Sequence, residues 1–342
     1  MKYIGHNQWN GQNFPNFYNK VVNSDYDKII IFGQNEWEWY RHDPVYWPML
    51  QEHCKKIGKP IHVITGAHHH LYPVQVENTE VSWWGTYWMG RAYQSLINQQ
   101  ISKDRLPVAI DPYESAEYKY HYISMNNRAH EWRCKLIDIM SEQDIMKYGA
   151  ISIHQNSPIY QWKHFDYKPM ILESTYPESK NQHVLPDQYY QSFAQLISES
   201  APDVIIVSEK TAIPLIIGKP FLVASQIHFH RYLSELGFQM YDEIFDYSFD
   251  DEPDEDKRYS MIVENFKRLT EVPLDQLQHL QRKIADKVAF NKQHIRKIAY
   301  DMSLYPQIAL DVIEHHKKTG EEIDHLLVQN YLLLEEYKPF KF

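Results

Sequence analysis

Two short apolar runs that each close on glycine constrain this chain more than anything else in it. Asp27-Lys28-Ile29-Ile30-Ile31-Phe32-Gly33 and Pro60–Thr65 followed by Gly66 are continuous rather than alternating in polarity, the pattern of strands buried on both faces. Pro48–Ile57 between them reads as a helix. Val81–Gln100 opens on the aromatic stretch SWWGTYW and turns helical from Arg91. Strand, helix, strand, helix at this spacing predicts a parallel sheet with crossover helices.

A second series of the same kind follows a proline-bearing, charged stretch over 102–117, which reads as a linker or rim loop. Tyr118–Ser124 reads as a strand and Asn126-Asn127 as a helix-capping loop. Arg128–Lys147 reads as a helix whose apolar positions Trp132, Leu136, Ile137 and Met140 recur at three and four. Beyond an irregular segment over 152–188, Tyr189–Ser200 is expected as a helix, Asp203–Val207 and Phe221–Ala224 as strands, and Phe229–Leu236 as a helix before the turn at Gly237. The acidic DYSFDDEPDEDKR reads most simply as a solvated surface segment, with metal binding as the alternative. The remainder is largely helical. The expected organisation is an α/β chain with an N-terminal Rossmann-like domain over 1–117, a second over 118–258 and a helical C-terminal region over 259–342. A length of 342 residues suits two cores.

Composition narrows the function. The chain is 43% hydrophobic and 23% charged, with a formal net charge of −10. That balance fits a globular protein and argues against a general nucleic-acid coat, although a local basic cleft stays open. Cys54 and Cys134 match neither a disulfide framework nor a zinc spacing, which favours a reducing compartment. The N-terminal MKYIGHNQWNGQNF lacks a signal-peptide core, and no apolar run reaches the roughly 18 residues of a membrane span. A cytoplasmic protein is expected.

In open parallel sheets ligands bind beyond the carboxyl ends of the strands, so the chemistry should follow strands. Two turns stand out. Ser124-Met125-Asn126-Asn127-Arg128 begins a helix that carries Arg133 further along, and Ser208-Glu209-Lys210-Thr211 begins another. A lysine at a helix start faces the unfavourable end of the macrodipole unless an anion also sits there. Backbone N–H groups, the dipole and the lysine together suit a phosphate. Arg128 could grip a second phosphate oxygen, and Glu209 would be left to accept hydroxyls such as those of a ribose. An ordinary Glu–Lys pair with a surface arginine accounts for the same spacing.

The run PDVIIVSEKTAIPLIIGKPFLVASQIHFHRYLSELGF resembles the donor-binding region of inverting glycosyltransferases of the α1,3-fucosyltransferase and exostosin-like groups. The upstream SMNNRAHEWRCKL is similar to the Asn-Arg segment and following helix of those groups. The resemblance covers residues 118–300 at most and is best over 203–250. It implies a GT-B architecture, two Rossmann-like domains facing a cleft, with no required cofactor or metal. The donor would be a UDP- or GDP-linked nucleotide sugar, and transfer would invert the anomeric centre. It further implies that Arg128 and Lys210 hold the pyrophosphate and Glu209 the ribose, with Arg133, Ser208 and Thr211 in the same site. Neither GxGxxG nor GxxxxGK[ST] occurs, which weakens dehydrogenase and P-loop readings.

An inverting enzyme also needs a base for the acceptor hydroxyl. Glu36 follows the first strand and His68 the second, so these are the candidates. An exposed aromatic loop around Glu36 and Glu38, and divergent side chains at 68–70, are the plain alternatives. Trp37, Trp39, Tyr40, Trp47, Trp83, Trp84, Tyr87 and Trp88 suit stacking on sugars or bases, though large aromatics are more often core. His228, His230 and Tyr232 belong to a helix whose first turn could reach a donor sugar, with core packing the plainer alternative. The expected acceptor is a glycan or glycolipid. A phage-type transferase acting on hydroxymethylated DNA bases and a non-catalytic nucleotide-binding protein are the rivals.

Overall fold

The computed structural model of the protein describes residues 2–7, 14–34, 45–68, 78–90, 92–93, 117–126, 129–153, 160–164, 172, 185–199, 205–321 and 323. At 6, 7, 33, 34, 67 and 68 it describes the backbone alone. The chain divides into two compact units, Met1–Gln94 with Val204–Val207 and Ile298–Phe342, and Ser95–Asp203 with Ser208–Lys297.

The first unit is built on a parallel sheet of β1 (Tyr3–Asn7), β2 (Lys28–Gln34), β3 (Ile61–Thr65) and β5 (Thr79–Trp83), side by side in chain order. Both glycine-terminated runs are therefore strands, as their unbroken apolar character requires. Ile29 and Ile31 of β2 pack with Phe14, Phe17 and Val21 of α1 (Phe14–Val22) and with Trp47, Leu50 and Cys54 of α2 (Tyr46–Ile57). The alternate residues Ile30 and Phe32 face the other way, onto Trp84, Tyr87 and the apolar stripe Ile308, Ala309, Val312 and Ile313 of α10 (Gln307–Thr319). α10 thus closes the second face of the first sheet. The aromatics Trp47, Trp84 and Tyr87 are core. β4 (Ala67–His68) runs antiparallel to β9 (Ile205–Ile206), with His68 opposite Ile205.

The second unit holds a parallel sheet in the order β10-β8-β6-β7, made of β6 (Tyr120–Asn126), β7 (Gly149–Ile153), β8 (Ser192–Ser198) and β10 (Phe221–Ala224). Three expectations are corrected here. The helix expected over 189–200 is β8, preceded by a single turn, α4 (Asp187–Tyr190); every residue of β8 is buried, so it is a central strand and the polar face a helix would need does not exist. The expected helix over 128–147 is the shorter α3 (Glu131–Glu142), and Asn126, read as part of a capping loop, is still a strand residue, buried and in register with Ile153; β7 then follows over 149–153, a strand the sequence reading does not include. Of the strand expected over 203–207, the described residues form the two-residue β9, which pairs with β4 and, among the described residues, with neither β8 nor β10.

The helices expected as one C-terminal region divide between the units. α7 (Glu255–Thr270) packs on α3, β6 and β10, with Phe266 against Tyr122, whereas α10 belongs to the first sheet. At the start of β7, Gly149 lies so close to Tyr122 that an added Cβ would stand 2.5 Å from the ring. Among the described residues no helix is long and apolar enough to cross a membrane.

Candidate functional site at the carboxyl edge of the second sheet

The second sheet reverses direction at one point. From β6 the chain passes to β7 on one side, then crosses back to β8 on the other and continues to β10. Parallel sheets bind ligands outside the strand ends at such a reversal, since the flanking connections diverge and leave a crevice. The strands bounding it end at Asn126 and at Ser198, and Glu199 follows directly.

Glu199 is the centre of this edge, and the sequence reading missed it. Its side chain has no solvent exposure. Oε2 accepts from the Ser208 hydroxyl at 2.7 Å, while Oε1 accepts from the Thr211 hydroxyl at 2.6 Å and from the Ser208 N–H at 3.3 Å. The backbone is tied as well. Its N–H donates to the Ala224 carbonyl at 3.3 Å, and its carbonyl accepts from the Trp132 indole at 3.1 Å and from Arg133 at 3.5 Å. One residue thereby joins β8, β10, α3 and α5 (Glu209–Ile217). Burying a carboxylate is costly unless hydrogen bonds replace its water, and these donors do so. A reading of SFAQLIS as a strand would have exposed the signal, a glutamate one residue past a buried strand.

Around it lie the expected turn residues. Ser208 caps α5: its hydroxyl donates to Glu199 and accepts from the Lys210 N–H at 3.2 Å. Lys210 Nζ stands 3.9 Å from Glu199 Oε2 and 3.8 Å from Glu209 Oε1. The Lys210 and Glu209 side chains are 26% and 20% exposed, so both reach the surface while Ser208 and Thr211 are buried beneath them. The positive end of α5 thus already faces a carboxylate of the same chain. Pro214 offers no N–H to the Lys210 carbonyl, and Gly218, in the left-handed conformation at φ 88°, ends the helix.

Arg133 is 4% exposed and braces the end of β8 through the Glu199 carbonyl. Arg128 and Glu36 lie outside the described residues. His68 lies in β4 with its side chain outside them. Along the same edge, Asn126 donates its amide to Ser124 Oγ and its N–H to Ser152 Oγ, each at 3.2 Å. Asn126 Oδ1, Ser198 Oγ and Ser225 Oγ are buried and lack a hydrogen-bond partner among the described residues. Buried polar atoms normally have partners, and these three exceptions follow or end β6, β8 and β10.

His230 and the acidic segment take structural roles. α6 (Phe229–Glu235) carries His230, which is buried. Its Nε2 accepts the Val223 N–H at 3.1 Å, so Nδ1 holds the proton and donates to Asp250 Oδ1 at 3.1 Å. Since β10 is an edge strand, this imidazole supplies the acceptor that a further strand would have provided. Asp250 also accepts the amides of His230 and Arg231 at 3.0 and 2.8 Å. Burial favours its neutral form, but the hydrogen bonds from the His230 ring and from the two amides outweigh that and hold its carboxyl below the usual carboxylate range. The expectation of a solvated acidic segment therefore fails at Asp250, which anchors α6. Among the described residues no group of three or more His, Cys, Asp or Glu could hold a metal ion. No family model matches the chain, and no curated protein or solved structure matches it.

Proposed function

We propose that the protein is an inverting glycosyltransferase of GT-B type that moves a sugar from a UDP- or GDP-linked donor to a hydroxyl of a glycan or glycolipid, with no required cofactor. The observation that carries the reading is the partly exposed Glu209–Lys210 pair at the start of α5, on the unit whose strand order reverses between β6 and β8. Lys210 supplies the cation for the diphosphate and Glu209 the acceptor for ribose hydroxyls. Arg128, two residues beyond the end of β6, is the second phosphate ligand, and the resemblance of the SEKT and NNR segments to donor-binding regions supports the same roles. Glu36 and His68 are the candidate bases in the first unit.

The test is release of nucleoside diphosphate from a panel of UDP- and GDP-sugars, with glycan, glycolipid and hydroxymethylated duplex DNA as acceptors. Sugar transfer to a glycan or glycolipid that is lost in Lys210→Ala supports the proposal. Transfer to DNA alone replaces the acceptor, and nucleotide binding without turnover of any donor replaces the enzyme with a binding protein.

A further inference from the structure

We infer that Arg258, with the hydroxyls of Ser198 and Tyr259, forms an enclosed anion site at the carboxyl edge of the second sheet, and that the site takes a phosphoryl group. It is read from the second unit alone. It rests on the nucleotide-sugar reading only for the source of that phosphate, a nucleotide donor rather than free pyrophosphate.

Two guanidinia are anchored on neighbouring strand ends. Arg133 on α3 donates to the Glu199 carbonyl at 3.5 Å, and Arg258 on α7 donates through Nε to the Ser225 carbonyl at 3.1 Å. Ser198 pairs with Ala224, so Glu199 and Ser225 come next on adjacent strands about 5 Å apart. Both arginines are nearly enclosed. Arg258 meets carbonyls alone, since its Nη1 donates to those of Glu252 and Pro253 at 2.7 and 3.4 Å. Among the described residues its Nη2 has no partner, and no carboxylate stands at ion-pair distance from it. The acidic neighbours are engaged otherwise. Glu252 and Asp254 accept the amides of Asp254 and Lys257, and Glu255 and Asp256 pair with Lys135. A buried cation without a counter-charge is costly, and a planar fork with an unused arm suits a phosphate oxygen.

Two hydroxyls beneath the same helix complete the site. Phe266 of α7 meets Tyr122 edge-on, and the register of β6 with β8 sets Tyr122 beside Ala194. Ser198 lies four residues beyond Ala194, on the same face and about 13 Å nearer the carboxyl edge. Tyr259 lies two turns before Phe266 on the same side of α7, about 10 Å along it. The bond from Arg258 to Ser225 shows that this end of α7 stands at the carboxyl edge. Tyr259 and Ser198 thus occupy one level of the layer between helix and sheet. Ser198 Oγ and the Tyr259 hydroxyl are both buried and lack a partner. Burial and the carboxylates of Glu255 and Asp256 push the Tyr259 phenol up, while Arg258 and Arg133 oppose that rise, so its oxygen lies in the field of both cations. Unpaired donors beside a guanidinium are the complement of a phosphoryl group.

The experiment uses the full chain with Ser198→Ala, Tyr259→Phe and Arg258→Met. The first two delete a hydroxyl that bonds nothing in the unliganded protein, so their melting temperatures are expected at or above that of wild type. A fall of several degrees in both means that the hydroxyls hold structure, and overturns the inference. Calorimetric titration with inorganic pyrophosphate, UDP and GDP follows. Each hydroxyl variant is expected to weaken pyrophosphate about fivefold or more, and Arg258→Met about tenfold or more at a temperature where it stays folded. UDP or GDP weakened in parallel identifies the phosphate as the donor's. A wild type that binds none of the three, or hydroxyl variants that bind them as wild type does, overturns the site. Pyrophosphate binding lost in the variants, with neither UDP nor GDP bound by wild type, supports the site and overturns the nucleotide-sugar reading. UDP or GDP binding that none of the variants changes overturns the site and leaves that reading standing.

Discussion

Ser208 Oγ lies 2.7 Å from Glu199 Oε2, a hydroxyl of one helix cap bonded to a carboxylate one residue past a neighbouring strand. Because that hydroxyl gives its proton to Glu199, it turns a lone pair toward the Lys210 N–H and caps α5 in the same contact. The cap, the helix start and the end of β8 therefore form one unit. Ser208→Ala is expected to destabilise the protein by roughly 1–3 kcal/mol, since it removes a cap and leaves a buried carboxylate short of a donor. Chemical denaturation would measure it.

The edge strand β10 gives a second prediction. His230→Ala takes the acceptor from the Val223 N–H and the ring donor from Asp250 together, and a loss of roughly 2–4 kcal/mol is expected. Asp250 adds a pH signature. Its folded carboxyl lies below the ordinary value, so its contribution is present above the unfolded pKa and disappears as pH falls through the folded one. Denaturation curves from neutral to acidic pH should show a shallower acid loss in Asp250→Asn than in wild type.

Lys219 gives a third, of opposite sense. Burial pushes its ammonium down to about 7, with Nζ donating to the Ser192 carbonyl and lying 4.9 Å from the centre of the Tyr189 ring. Between about 7 and the ordinary lysine value the unfolded chain binds the extra proton, so wild-type stability should rise with pH across that window relative to Lys219→Met. The difference between the two denaturation profiles isolates this group from the tyrosines titrating nearby. A parallel pair of profiles would contradict it.

A fourth concerns Gly149. Alanine there would bring its Cβ within 2.5 Å of the Tyr122 ring, which is held by its hydroxyl at 2.9 Å from the Ile145 carbonyl. The ring cannot move without giving up that bond, and Gly149→Ala is expected to cost roughly 1–3 kcal/mol, measured by denaturation.

Much of the α/β pattern was legible because β2, β3 and β10 are apolar on both faces and bounded by glycine or proline. β8 was not. Phe193, Ala194, Leu196 and Ile197 fall at helix-like spacing in SFAQLIS, and only burial between β6 and β10 reveals a strand with no polar face. That misreading hid Glu199. The turn SEKT was found from the charge of Lys210 at a helix start, but nothing local announces that the anion facing α5 comes from ten residues upstream. The second face of β2 was equally illegible, since its cover, α10, comes from the far end of the chain.

The most direct test of the central claim is a thermal-shift titration of wild type and Lys210→Ala with UDP, GDP, CDP and ADP. Selective stabilisation of the wild type by UDP or GDP, several degrees at saturating ligand and largely absent in Lys210→Ala, is the predicted result. No stabilisation by any of the four, or an equal shift in the variant, would contradict the assignment of the SEKT turn as a nucleotide-sugar site.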